Sequence, residues 1–169
     1  QETKQDAHIV VVPDYFTAEG YFLRFANALD ARKAKVVTCI SMFYDLDAPN
    51  KFLAAIKEIL APDGLLIIEQ NYLKSMLDNN AADFIVHEHL CYYSLNSLRR
   101  LLNKNGFIIQ DVEVNEINGG SFRVYVRHDS EVPFFFKQHG DALDKEPTNW
   151  KSAIVAFRKR VQINMQRLR

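Results

Sequence analysis

The sequence predicts an α/β fold in which a parallel sheet, covered by helices, is finished by an antiparallel hairpin and followed by a long carboxy-terminal helix. Three observations carry this reading. Short apolar runs at 8–12, 35–41 and 65–69 alternate with helically spaced segments, which is the rhythm of strand–helix–strand units and a parallel sheet. After residue 107 the apolar period falls to two around an NGG turn, as a hairpin requires. From Pro147 to the end the spacing is helical again.

The elements follow in order. HIVVV, residues 8–12, is a continuous β-branched run stopped by Pro13 and predicts a strand covered on both faces. Residues 17–32 predict a helix capped by Thr17, with Phe22, Phe25, Ala26 and Leu29 on one face. KVVTCIS, residues 35–41, predicts a second buried strand. Residues 49–60 predict a helix with Pro49 at its start and Phe52, Ile56, Ile59 and Leu60 inward. APDG, residues 61–64, reads as a turn, and LLIIE, residues 65–69, as a third buried strand. Leu73 to Leu77 predicts a short helical turn. Ser94 to Asn105 predicts a helix with Ser94 or Asn96 as its cap, Leu98, Leu101 and Leu102 inward, and Gly106 as its stop. Residues 107–117 and 121–128 form the hairpin, with Phe122, Val124 and Val126 on one face and Arg123, Tyr125 and Arg127 on the other. In the last helix Trp150, Ile154, Phe157, Val161, Met165 and Leu168 line one side.

Composition bounds the function. The chain has 169 residues, 48% hydrophobic and 25% charged, with 21 basic and 21 acidic side chains. This is a globular composition. Its zero net charge argues against nucleic acid or an anionic membrane as the main partner. The twelve residues Arg158 to Arg169 hold five cations and no acid, read as the solvated face of the terminal helix. Cys39 and Cys91 form no CxxC pair and read as buried thiols of a reducing compartment. Without an apolar run long enough to span a bilayer or a signal peptide, the expected location is cytoplasmic.

In strand–helix–strand folds ligands bind beyond the carboxyl ends of the strands. Here those segments are PDYF, SMFYDLD and EQNY. The glycine-rich loop that usually cradles a nucleotide is missing: none of the six glycines forms GxGxxG or GxGxG. Either no such cofactor is bound, or the loop lies upstream of Gln1.

VHEHLCYYS, residues 86–94, sets three ionisable side chains in an apolar stretch. In an extended segment His87 and His89 share one face and Glu88 takes the other. The residues alone leave three readings open: caps for the following helix, a metal site built on two histidines, or a histidine general base oriented by a carboxylate.

The series SMFYDLDAP, LAPDGLLIIEQNYLKSML, HEHLCYYSLNSLRRLL and NGGSFRVYVRH resembles the sugar C-methyltransferases, a family of class I S-adenosylmethionine-dependent methyltransferases. The resemblance covers about residues 8–130. It implies a Rossmann-like class I methyltransferase sheet, partial here, of which these strands would be the third to seventh. Residues 1–130 would form that partial domain and 131–169 a helical linker or the start of a further region. The first two strands, the glycine loop and a carboxy-terminal portion are expected elsewhere in the same protein, so that this chain alone would be inactive. The resemblance thus implies a fragment, or a rearranged sheet with 8–12 paired directly to 35–41.

The resemblance further implies S-adenosyl-L-methionine as cofactor, a nucleotide-linked sugar as substrate and no metal. Methylation would occur at a carbon next to a ketone. His89 would be the base, with Glu88 beside it. His87, Tyr92, Tyr93, Asn118 and Arg123 are expected on the substrate side, and Phe43 and Asp45 by the cofactor. Two positions depart from the family pattern. Val86 stands where relatives carry a tyrosine, and Asp45 where they carry a histidine. These departures keep open a methyltransferase with another acceptor. A non-catalytic remnant and a metal hydrolase using His87 and His89 are the remaining alternatives.

Overall fold

The computed structural model describes residues 11–25, 33–131 and 145–168. Among the described residues four strands form one sheet: β1 (Ala34–Ile40), β2 (Leu60–Asn71), β3 (Phe107–Asn115) and β4 (Ser121–His128). Their spatial order is β1-β2-β4-β3. β1 and β2 are parallel, and β4 is antiparallel to both β2 and β3. The helices are α1 (Ala18–Phe25), α2 (Pro49–Ile59), α3 (Leu73–Asp78), α4 (Leu95–Lys104) and α5 (Trp150–Arg167). The α/β class, the closing hairpin and the long last helix are as the sequence predicts.

One sheet face makes the core. Leu66 and Ile68 of β2 and Phe122, Val124 and Val126 of β4 are wholly buried. Over them pack Leu53 and Ile56 of α2 and Leu95, Leu98 and Leu102 of α4, in the same hydrophobic cluster. The alternation in SFRVYVRH is what delivers one residue in two to this core.

Four expectations are corrected. Residues 8–10 of the first expected strand lie outside the described residues. Val11 and Val12 are in no strand and are 82% and 52% exposed, because Asp14 N donates to Val12 O at 2.9 Å and folds the chain back beside Pro13. No described residue of that run pairs with β1. β1 itself is buried on one side only: Cys39 is 3% exposed, whereas Val36 and Ile40 are 56% and 48% exposed. APDG is drawn into β2 as an irregularity of the ladder, whose register passes from Ala34↔Leu60 to Val36↔Leu65. There Lys35 Nζ donates to Asp63 Oδ1 at 2.5 Å and holds that carboxyl below its usual range. Finally, α5 uses only part of its apolar stripe. Phe157 is buried with Met76 and Leu77, and Trp150 and Val161 pack beside them, while Ile154, Met165 and Leu168 stay exposed.

Helix ends follow the local chemistry. Thr17 Oγ1 accepts from Gly20 N at 3.0 Å. Ser94 and Ser97 form a reciprocal capping box. The Glu146 carboxylate, from the segment leading into α5, also accepts from Leu95 N at 2.5 Å and Asn96 N at 3.2 Å, a favoured place for an anion. Gly106 follows α4 with φ +76°. Arg160 Nη2 of α5 donates to Leu77 O at 2.5 Å, near the end of α3.

The NGG turn is docked rather than free. Gly120 has φ +121°, and a Cβ there would meet Ser75 Cβ of α3 at 2.3 Å. Gly120→Ala is therefore expected to lower the urea unfolding midpoint more than Gly20→Ala, whose Cβ would meet only the Thr17 hydroxyl. Leu98→Ala, in the core, should cost about 2–5 kcal/mol in the same titration.

Candidate functional site

The site candidates gather beyond the carboxyl ends of β1 and β2. Ser41 N, just past β1, donates to Glu69 O at 2.9 Å. The chain then makes a 3-10 turn at Phe43–Asp45. β2 leads directly into α3, and a second 3-10 turn, Ala82–Phe84, precedes the HEH segment. Cys91 N donates to Tyr44 O at 3.0 Å and so ties the HEH segment to the loop after β1.

HEH is not extended. His89 N donates to Val86 O at 3.3 Å and closes a turn over residues 87 and 88. This turn separates the two histidines that an extended segment would align. The His87 side chain is 92% exposed, and its Nε2 lies 3.9 Å from Glu88 Oε1, itself on a side chain 73% exposed. That exposed pair contributes little to stability. His89 turns inward and is half-buried. Its ring lies 4.4 Å from Tyr44, 5.9 Å and nearly parallel to Phe84, and 6.3 Å edge-on to Tyr92. Its Nδ1 is 2.9 Å from Phe84 O, which also accepts from the Tyr92 hydroxyl at 3.1 Å.

Asp45 follows Tyr44 and is exposed as a residue. Its carboxyl is nonetheless raised above its ordinary range, first by partial burial, with His89 opposing and Glu88 adding to the rise. These effects join Asp45, Glu88 and His89 in one electrostatic neighbourhood.

The other expected residues have different surroundings. Phe43 has no exposed surface and packs against Phe52 and Tyr93 at 6.0 and 5.6 Å. Tyr93 is a core residue, 8% exposed. Burial, and then Cys91, push its hydroxyl above the ordinary tyrosine range. Asn118 sits in the left-handed region at φ 53°, and its carbonyl accepts from Asn71 Nδ2 at 3.0 Å. Arg123 faces neighbouring carboxylates: its Nε donates to Glu69 Oε2 at 2.6 Å, and its Nη1 lies 3.5 Å from Glu113 Oε2. Glu69 is 5% exposed, so Arg123 serves first to neutralise a buried carboxylate across three strands. Tyr93 thus packs in the core and Arg123 pairs with carboxylates of the neighbouring strands.

Sequence reasoning missed two participants. Tyr44 supplies the nearest ring to His89, and an aromatic beside the Phe43 core position was the available signal. Phe84 acts through a backbone carbonyl, which no side-chain pattern reveals. Gln70, 1% exposed, has neither amide atom hydrogen-bonded among the described residues. Also among the described residues, no group of three or more His, Cys, Asp or Glu side chains is placed to hold a metal ion. No described helix is long and apolar enough to cross a membrane.

Comparison with known proteins places this geometry in a family. Residues 4–112 match the family described as Methyltransferase domain. The chain belongs to that family. It is 35% identical over 121 residues to the C-methyltransferase NovU of Streptomyces niveus, a match that covers 71% of this chain and 28% of that protein. The chain thus spans 28% of that relative's length. Among solved structures, it is similar to the mitomycin 7-O-methyltransferase MmcR at 18% identity and a TM-score of 0.47, covering 57% of this chain and 30% of that one. It is also similar to the magnesium protoporphyrin IX methyltransferase ChlM of Synechocystis PCC 6803 with bound SAH, at 17% identity and a TM-score of 0.43, covering 59% of this chain and 48% of that one.

Two outcomes follow from the charges. Because the Asp45 carboxyl is raised in the folded state, its ionised form penalises the fold at neutral pH. Asp45→Asn should therefore raise the melting temperature at pH 7, and the gain should shrink as pH falls through the raised range and vanish below the ordinary carboxyl range, where the group is neutral both folded and unfolded. Arg123→Ala should lower the melting temperature, and adding Glu69→Gln should recover part of the loss, because the unpaired buried carboxylate is then gone.

Proposed function

We propose that this chain is the acceptor-side part of an S-adenosylmethionine-dependent C-methyltransferase, in which the His89 imidazole removes the proton from a carbon next to a ketone of a nucleotide-linked sugar. One observation carries the reading: a half-buried imidazole, held among three aromatic rings beside Asp45, just beyond the carboxyl ends of β1 and β2. The name of NovU as a C-methyltransferase supports the reaction class.

The chemistry explains why such a group is needed. A C–H bond next to a carbonyl becomes a nucleophile only when a base takes the proton and the electron pair moves onto the carbonyl oxygen. A histidine is suited to this at neutral pH. The aromatic walls limit water around the ring and fix its plane, so the base is oriented before the acceptor arrives. Glu88, exposed and paired with His87, fits a role at the rim, and Tyr92 and Asn118 lie on adjoining segments.

S-adenosylmethionine would supply the methyl group as an electrophile. The described residues do not make a full cradle for it. Gly20 lies inside α1, Gly64 in β2, Gly106 at the end of α4, and Gly119 and Gly120 in the hairpin turn, so none opens a strand-to-helix phosphate-type loop. The carboxyl end of β1, with Met42 and Asp45, offers one wall. The glycine loop is assigned to residues outside this chain, in keeping with its 28% share of the relative's length.

A second reading keeps the reaction and changes the acceptor. Val86 is 40% exposed beside the turn and offers an apolar contact, which favours a less polar carbonyl compound; a panel of sugar and non-sugar acceptors separates the two. Assayed in the polypeptide that carries this chain, His89→Gln should reduce methyl transfer by roughly 10²–10⁴-fold. Near-UV circular dichroism should stay unchanged. Wild-type turnover by that variant would remove the histidine from the chemistry.

A further inference from the structure

We infer that His89 is held as the Nδ1–H tautomer by the Phe84 carbonyl, with the Tyr92 hydroxyl as a positioning group that, together with Val86 N, aims that carbonyl. His89 Nε2 is then left as the atom with a free lone pair. The inference rests on the proposed function for its catalytic meaning, but not for its geometry.

The argument is one of donors and acceptors. His89 Nδ1 lies 2.9 Å from Phe84 O. A carbonyl oxygen only accepts, so the nitrogen facing it must carry the proton. In neutral imidazole the second nitrogen is then unprotonated. The Tyr92 hydroxyl donates to the same oxygen at 3.1 Å, and Val86 N does so as well at 3.1 Å. Three donors thus converge on one acceptor, at the end of the Ala82–Phe84 turn.

The surroundings oppose the alternative. Tyr44 at 4.4 Å and Phe84 at 5.9 Å bracket the ring, and Tyr92 lies edge-on at 6.3 Å. A ring flip would leave Phe84 O facing carbon in place of the nitrogen that donates to it. Cys91 N to Tyr44 O, 3.0 Å, fixes one wall of this enclosure to the loop after β1. Free histidine in water favours the opposite, Nε2–H tautomer, so the expected state is one the solvent alone would not select. It also sets where an acceptor must lie. The acidic C–H has to approach Nε2, on the side of the ring away from Phe84 O. Tyr92, expected from sequence on the substrate side, becomes a residue that acts through another.

The test is spectroscopic and needs no methyl transfer. The whole chain is labelled with ¹⁵N-histidine and its ring nitrogens are read by two-bond ¹H–¹⁵N correlation at about pH 8.5, where an ordinary imidazole is neutral. The His89 signals are identified by their loss in His89→Gln. Nε2 is expected at the unprotonated shift and Nδ1 at the protonated shift. In Tyr92→Phe both should move toward the averaged values of free histidine. In the active polypeptide kcat should fall in proportion to the lost Nδ1–H population, with KM kept. An Nε2–H or averaged His89 in the wild type overturns the inference. An unchanged tautomer in Tyr92→Phe overturns the role of Tyr92. Neither result touches the methyltransferase reading, which fails separately if His89→Gln keeps full activity.

Discussion

The junction between β2 and α3 is the constraint on which the rest of the structure depends. Two successive backbone donors leave it in different directions: Tyr72 N to Gly120 O at 3.0 Å, and Leu73 N to Tyr93 O at 3.0 Å. The first joins the end of the central parallel pair to the hairpin turn. The second joins it to the segment that carries HEH. Backbone groups at a strand end must find partners, and here they find them in two segments distant in sequence. Gly120 is required because α3 comes so close that a side chain cannot fit. The turn, the helix and the HEH segment are therefore located by one short stretch of backbone.

From that junction the site is built outward. Tyr93 is fixed in the core against Phe43, so the residues just before it are delivered to the rim of the sheet. Tyr92 and Cys91 reach the Phe84 carbonyl and the Tyr44 carbonyl respectively. The β-turn over residues 87 and 88 then sends His87 to solvent and His89 inward. A single turn bond thus decides which of two like residues has a defined environment. On the opposite sheet face the Glu69–Arg123–Glu113 pairing closes the polar register across β2, β4 and β3. That pairing ties the three strands together.

Much of this was legible in the sequence, and the failures have physical causes. The period-two pattern of residues 121–128 was decisive because one face is fully buried, and the Ser94 cap and Gly106 stop were carried by local chemistry. β1 misled because a continuous run of β-branched residues looks the same whether one face is covered or two. APDG misled because a turn signal and an irregularity within a strand use the same residues. At the site, HEH drew attention through residue type, but spacing implied an extended segment where a backbone bond makes a turn. Phe43 and Tyr93 lie in the core, where residue type alone does not separate packing from ligand contact, because aromatic clusters serve both. Phe84 could not be read at all, since its contribution is a carbonyl.

The central claim, that His89 takes a proton from carbon, is tested most directly by hydrogen exchange without methylation. A nucleotide-linked keto sugar is placed in D₂O with the polypeptide that carries this chain, and the proton next to the ketone is followed by NMR with no methyl donor added. The account predicts that the protein catalyses loss of that signal, and that His89→Gln returns the exchange to the uncatalysed rate. Catalysed exchange that persists in His89→Gln would contradict it, because the proton would then be removed by another group.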